Sequence, residues 1–160
     1  MSEAASKAFE LFQADVGNDE GTGEWFQVTQ QQIDQFADVT LDHQFIHVDP
    51  ERAKATPFGT TIAHGMLTLS MLTHLAAGAS SAPPDPAKYA GVLMGINYGF
   101  NKVRFVNPVK VGSRIRARAV TTNVELKGNA IDVTRNFTVE IDGEEKPALV
   151  AEWVTRTVYA

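Results

Sequence analysis

Asp42, His47 and the pair His64-Gly65 are the residues from which proton chemistry could be assembled. An aspartate and a histidine within reach of one water can orient it and take or return a proton. Five positions apart on a helix, Asp42 and His47 would be separated by roughly 140° and could not cooperate. The segment 41–48 shows no clean hydrophobic period, so it is predicted as irregular chain in which the two can converge. Ala63-His64-Gly65 falls in the first turn of an apolar helix predicted over about 61–77. That turn carries free backbone N–H groups and the positive end of the helix dipole. Gly65 has no side chain to shield its N–H, so a carbonyl oxygen can approach it. An acid–base pair facing such a donor suits proton transfer next to a carbonyl. Taken singly, each residue has a plainer reading: a capping aspartate, a satisfied buried histidine, a glycine that allows close packing. Their conjunction points to chemistry.

A metal is the competing use of the same segment. His43 and His47 stand four apart and are flanked by Asp42 and Asp49. Gln44, however, occupies the place where a helical zinc-protease motif has its general-base glutamate, and no helical period surrounds it. The expectation is no metal. His74, inside the apolar helix, reads as structural. A second polar pattern is Arg114, Arg116 and Arg118, alternating with Ile115, Ala117 and Ala119 as a strand with one basic face. Lys102, Arg104 and Lys110 lie nearby in sequence. The basic face is either a solvated outer surface or a phosphate site suited to a nucleotide-tailed acyl carrier such as coenzyme A. Neither a GxGxxG nor a P-loop offers another route to phosphate.

The elements that must position these groups follow from the patterning. The N-terminal segment 4–16 is predicted helical, with Phe9, Leu11, Phe12 and Val16 as its apolar set. A short strand is expected over 24–28. Thr29 and Gln32 form a capping box for a helix that turns Ile33, Phe36 and Ala37 inward. Asp49-Pro50 starts another short helix, and Pro57 and Gly59 end it. The helix at 61–77 is apolar around most of its circumference, so it needs cover on nearly all sides. Strands predicted over 92–105, 113–126, 130–141 and 147–159, with turns at Lys127-Gly128-Asn129 and Asp142-Gly143, supply that cover. Strands of this length exceed the usual five or six residues and must bend. A long curved antiparallel sheet wrapped around a buried central helix is an α+β hot-dog fold. It is read as one domain over 1–160, with 1–20 as a helical extension.

Composition narrows the class. With 160 residues, 44% hydrophobic and 21% charged, the chain has the make-up of a single globular domain. A net charge of −5 argues against nucleic acid or an anionic membrane as partner. The absence of cysteine removes thiolate metal sites and thiol nucleophiles. The acidic first 20 residues do not read as an export signal, and 62–79 is too interrupted by polar residues to span a bilayer. A cytoplasmic protein is expected.

The stretch 36–50, with its Asp42-His43-Gln44-Phe45-Ile46-His47 core, resembles the MaoC-like (R)-specific enoyl-CoA hydratases. So does the following Pro57-Phe58-Gly59-Thr60-Thr61-Ile62-Ala63-His64-Gly65-Met66-Leu67. Within that family they are most similar to the nodulation protein N-like branch. The family motif is roughly Gly-Asp-x-Asn-Pro-aliphatic-His. Asp42, Ile46 and His47 keep it, while Leu41, Gln44 and Phe45 replace its Gly, Asn and Pro. The resemblance implies reversible addition of water to a trans-2-enoyl thioester, giving an (R)-3-hydroxyacyl thioester. Asp42 and His47 would hold the water and Gly65 N–H the thioester oxygen. Gln44, His64 and the arginines 114, 116 and 118 are assigned to substrate binding. It implies no cofactor, coenzyme A being part of the substrate, an acyl-CoA or acyl-carrier-protein thioester, and a homodimer. A thioesterase on the same fold and a non-catalytic acyl-thioester-binding subunit of a heteromeric dehydratase remain open, because one fold hosts several chemistries.

Overall fold

The computed structural model describes residues 2–79 and 83–160; of the predicted 1–160 unit, Met1 and 80–82 lie outside the described residues. In chain order the elements are α1 (Glu3–Gln13), β1 (Asp19–Thr22), β2 (Phe26–Gln27), α2 (Gln30–Thr40), α3 (Phe45–Val48), α4 (Pro50–Ala53), α5 (Gly65–Ser70) and α6 (Leu72–Leu75). Strands β3 (Val92–Phe105), β4 (Arg114–Lys127), β5 (Ala130–Ile141) and β6 (Leu149–Tyr159) follow, and short 3-10 turns occupy Ala76–Gly78 and Pro86–Tyr89. The strands form one antiparallel sheet in the order β1-β4-β5-β6-β3, with β2 also paired to β4. The four long strands fall within two residues of their predicted bounds, with turns at Gly128-Asn129 and Asp142-Gly143 punctuating the last three. On β4, Ile115, Ala117 and Ala119 are buried while the three arginines take the opposite face. The fold is the hot-dog arrangement expected from sequence.

The core lies between the sheet and the helices. Leu67, Leu72 and Leu75 pack against Ile115, Ala117, Phe137, Val139, Leu149, Ala151 and Trp153. A second cluster joins Ala5, Ala8 and Phe12 of α1 to Val124, Ile131, Val133 and Tyr159. The buried face of α1 is thus its two alanines and Phe12; Val16, predicted as part of that face, is outside the helix and exposed.

Three local expectations are corrected. The helix expected over 61–77 starts only at Gly65, because the connection between β3 and β4 claims the backbone before it. Ile62 bridges Lys110, Ala63 N–H donates to Val109 O at 2.7 Å, and Val111 N–H donates to Thr61 O at 3.0 Å. It is also broken at Met71. There the Ser70 hydroxyl donates to Met66 O at 2.8 Å and the Thr73 hydroxyl to Ser70 O at 3.0 Å, side-chain bonds that compete with the helix ladder. One side of this segment, with Met66, Ser70, Thr73 and His74, faces outward rather than into the core. Finally, 45–48 is one helical turn rather than irregular chain, so His47 sits on α3 and only Asp42 precedes it in a loop. Strand β1 carries no apolar alternation and was not anticipated.

Candidate active site

The site is assembled at the meeting of α2, α3, the extended 61–64 segment and the start of α5. Thr29 caps α2 through the predicted box: its hydroxyl accepts the Gln32 N–H, and Gln32 Oε1 accepts the Thr29 N–H at 2.9 Å. The helix ends in Leu41, whose φ of 61° is left-handed, a conformation that ordinarily favours glycine. This sharp exit delivers Asp42 next to the histidines. Gln30, at the first turn of α2, donates to His47 O at 2.8 Å and accepts from the Thr61 hydroxyl. It therefore ties α3 to the 61–64 segment from behind.

Asp42, His47 and His64 each bring a ligating side-chain atom within 4.8 Å of the others. His47 and His64 are both buried, at 6% and 3% exposure, whereas Asp42 is open to solvent. The two imidazoles stack face to face, with centroids 3.8 Å apart and planes inclined by 25°. The Phe36 ring lies against His64 on the other side, at 5.1 Å. His47 Nδ1 is 2.7 Å from Ile62 O. A carbonyl only accepts, so Nδ1 carries the proton and Nε2 is left with a lone pair. Burial is the largest influence on His47 and holds its pKa below the ordinary 6.5. The bond to Ile62 O opposes it, His64 adds to it, and Asp42 opposes it. The result is a neutral imidazole at physiological pH with an unoccupied acceptor nitrogen beside a carboxylate. Such a pair can take a proton from water and return it.

The trio's chemistry does not favour a metal. The two imidazole planes are stacked with centroids 3.8 Å apart and inclined by only 25°, so an ion at bonding distance in the plane of one ring would lie out of the plane of the other. His43, the other histidine of the metal alternative, points away: its Nε2 pairs with Asp38 at 2.8 Å on the surface. Gln44 is the residue before α3, with an exposed side chain, and contributes its backbone O to His47 N–H at 2.9 Å. Gly65 is the first residue of α5, and His64 stands as the residue before it. A β-carbon on Gly65 would lie 3.0 Å from the Phe105 ring, so glycine here admits close approach by an aromatic side chain. His74 packs edge-on against Phe26, at 5.1 Å, away from the trio.

The arginine face lies on the outer side of β4, and each member is already paired: Arg114 with Asp142, Arg116 with Glu140 and Arg118 with Asp19. Arg116 also covers the Trp25 ring at 4.3 Å. A phosphate would have to displace a carboxylate at each position, so the face is a cross-strand charge ladder. The nearby cations with no ion pair among the described residues are Lys102, Arg104 and Lys110. Residue-type patterns did not flag Gln30, Phe36, Phe105 or the Ile62 carbonyl. Only the hydrophobic period of α2 pointed to Phe36, and as a core residue.

A family described as MaoC like domain matches residues 12–141. The chain is 49% identical over 146 residues to 3-hydroxyacyl-thioester dehydratase Z of Mycobacterium tuberculosis, covering 91% of this chain and 92% of that protein. It is 50% identical over 142 residues to nodulation protein N of Rhizobium leguminosarum bv. viciae, covering 88% and 84%. Among solved structures it is similar to the monoamine oxidase regulatory protein of Archaeoglobus fulgius, with a TM-score of 0.73, 29% identity and 91% of each chain covered.

Proposed function

Because this chain belongs to the MaoC-like domain family, we propose that it is an (R)-specific enoyl thioester hydratase, acting reversibly as a 3-hydroxyacyl thioester dehydratase. The observation that carries the reading is the buried His47 of α3, its Nδ1 2.7 Å from Ile62 O and its ring grouped with the Asp42 carboxylate and His64. A trans-2-enoyl thioester lies with its carbonyl oxygen at the Gly65 N–H, which the helix leaves unused. Polarisation of that carbonyl makes C3 electrophilic. A water held by Asp42 and His47 adds its oxygen to C3 while His47 Nε2 takes the proton, and the C2=C3 electron pair moves onto the thioester oxygen as an enolate. The Asp42 carboxylate stabilises the imidazolium so formed. Collapse of the enolate, with the His47 imidazolium giving its proton to C2 and returning to the neutral base, completes the addition, and the reverse sequence expels water. Every step is a proton or electron-pair movement that these side chains can serve. The assignment of His47 as base rests on its tautomer, which the sequence left open between the two residues.

The thioester carrier is coenzyme A or an acyl carrier protein, which makes the enzyme a cytoplasmic component of acyl-chain metabolism. We also propose a homodimer. Strand β3 is the free edge of the sheet and exposes Leu93 (62%), Met94, Ile96, Tyr98 (56%) and Phe100. An uncovered apolar edge of 14 residues invites pairing with a second chain.

The test is to incubate the purified protein with crotonyl-CoA and follow the enoyl absorbance together with free thiol. Loss of the enoyl signal without thiol release supports the hydratase. Thiol release marks a thioesterase, and no change in either marks a binding subunit.

A further inference from the structure

His64 was assigned above to substrate contact on the strength of the resemblance. Its surroundings give it another task. At 3% exposure it is the more deeply buried of the two histidines. Its Nε2 lies 2.9 Å from the backbone O of Asp42. That oxygen can only accept, so Nε2 bears the proton and His64 is the Nε2–H tautomer. Its other nitrogen, Nδ1, is buried and without a hydrogen-bond partner among the described residues. Leaving such an acceptor unpaired is unfavourable, and a phenylalanine would fill similar space without it. What the imidazole adds over an apolar ring is the single N–H that grips the loop carrying Asp42. Its flat face adds a second contact, the stack on His47 at 3.8 Å. One side chain therefore touches both members of the acid–base pair, and it does so from the junction between α5 and the 61–63 backbone, which is hydrogen-bonded to residues 109–111. The loop it grips follows the left-handed Leu41 and is otherwise open to solvent.

We infer that His64 is a positioning residue: its Nε2–H fixes the Asp42 carbonyl and its ring face fixes the His47 imidazole, so that carboxylate and base keep one mutual geometry. The inference rests on the hydratase reading for its kinetic consequence and on the structure alone for its tautomer. Small losses of orientation in such a pair translate into rate, whereas affinity for the rest of the substrate is untouched.

The test compares three variants and the wild type. His64→Gln places an amide N–H near the position of Nε2. His64→Asn reaches only as far as Nδ1, and His64→Phe keeps the ring without a donor. In crotonyl-CoA turnover, His64→Phe and His64→Asn are expected to lose about 10- to 100-fold in kcat, the range usual for residues that orient a catalytic group. KM should stay within about threefold, the split expected when only transition-state stabilisation is lost. His64→Gln should recover most of the loss. With four histidines in the chain, long-range proton–nitrogen NMR of the wild type resolves the tautomers directly. His64 should be protonated on Nε2 and His47 on Nδ1. Equal kcat for the Asn and Gln variants, full activity of the Phe variant, or a His64 protonated on Nδ1 would each overturn the inference. A wild type that does not hydrate crotonyl-CoA refutes the hydratase reading instead, and the NMR tautomer then decides the role of His64 without any turnover.

Discussion

At the scale of single residues, the account assigns the reaction to two side chains acting as one unit. Asp42→Asn and His47→Gln should each lower hydration by about 10²- to 10⁴-fold while the protein stays folded. The double variant should be little worse than either, because removing one partner already disables the other; steady-state kinetics beside a thermal melt checks this. The pH dependence follows from burial of His47. A base must be neutral, and its folded pKa lies below 6.5, so kcat/KM should stay level at neutral pH and fall only once the medium is more acidic than an ordinary histidine requires. Stability has the same sign. The unfolded chain takes up the His47 proton first, so this contribution is complete above about 6.5 and is lost as pH falls through the lower folded value. An acid limb centred at or above the ordinary histidine value would contradict the buried, neutral base. Asp42, His47 and Gly65 were legible in sequence because their types and spacing carry chemical meaning. Gln30 and the Ile62 carbonyl were not: Gln30 acts on His47 from 17 positions away, and a backbone oxygen has no residue-type signature at all.

At the scale of elements, the departures from expectation lie where backbone geometry, not side-chain pattern, decides. The hydrophobic period of 61–77 is genuine, yet backbone bonds to residues 109–111 hold the first residues extended, and periodicity cannot register a competing bridge. The long runs that form β3 to β6 have no such competitor and are punctuated by turn residues, which is why those strands were predicted within two residues. Leu41 gives a prediction at this scale. It is 81% exposed and left-handed, so Leu41→Gly sacrifices little packing and relieves backbone strain. Even after the extra unfolded-state freedom of glycine it should raise stability by up to about 1 kcal/mol, measured by denaturant unfolding. At the other helix start, Gly65→Ala sets a methyl 3.0 Å from the Phe105 ring. That ring is half exposed and can shift by a few tenths of an ångström, so the melting temperature should stay near the wild type's. If the thioester oxygen lies at this N–H, kcat should nonetheless fall by about 10²-fold. Normal turnover in a stable Gly65→Ala protein would remove Gly65 from the mechanism. On β4, Arg116→Gln should leave KM for the acyl-CoA unchanged, because its partner is Glu140 rather than a ligand. A rise in KM that disappears at high salt would restore the phosphate role to that face.

At the scale of the whole molecule, the sheet ends in β3, whose outer edge no other strand covers among the described residues. Sedimentation should find a dimer, and Tyr98→Glu on the exposed face of β3 should shift it toward monomer; a monomeric wild type would contradict the pairing. The strand at β3 was visible in sequence, but that its apolar residues stay exposed was not, since an apolar strand reads the same whether its cover comes from within the chain or from a second copy. The fold by itself serves several thioester chemistries, and the central claim is the narrower one that water enters at C3 through Asp42 and His47. The most direct measurement is mass spectrometry of the product formed from crotonyl-CoA in water labelled with heavy oxygen. The account predicts an intact thioester carrying the label on the C3 hydroxyl, formed by the wild type and nearly abolished in Asp42→Asn and His47→Gln. Label found instead in a free carboxylate, or an unchanged rate of C3 labelling in both variants, would contradict it.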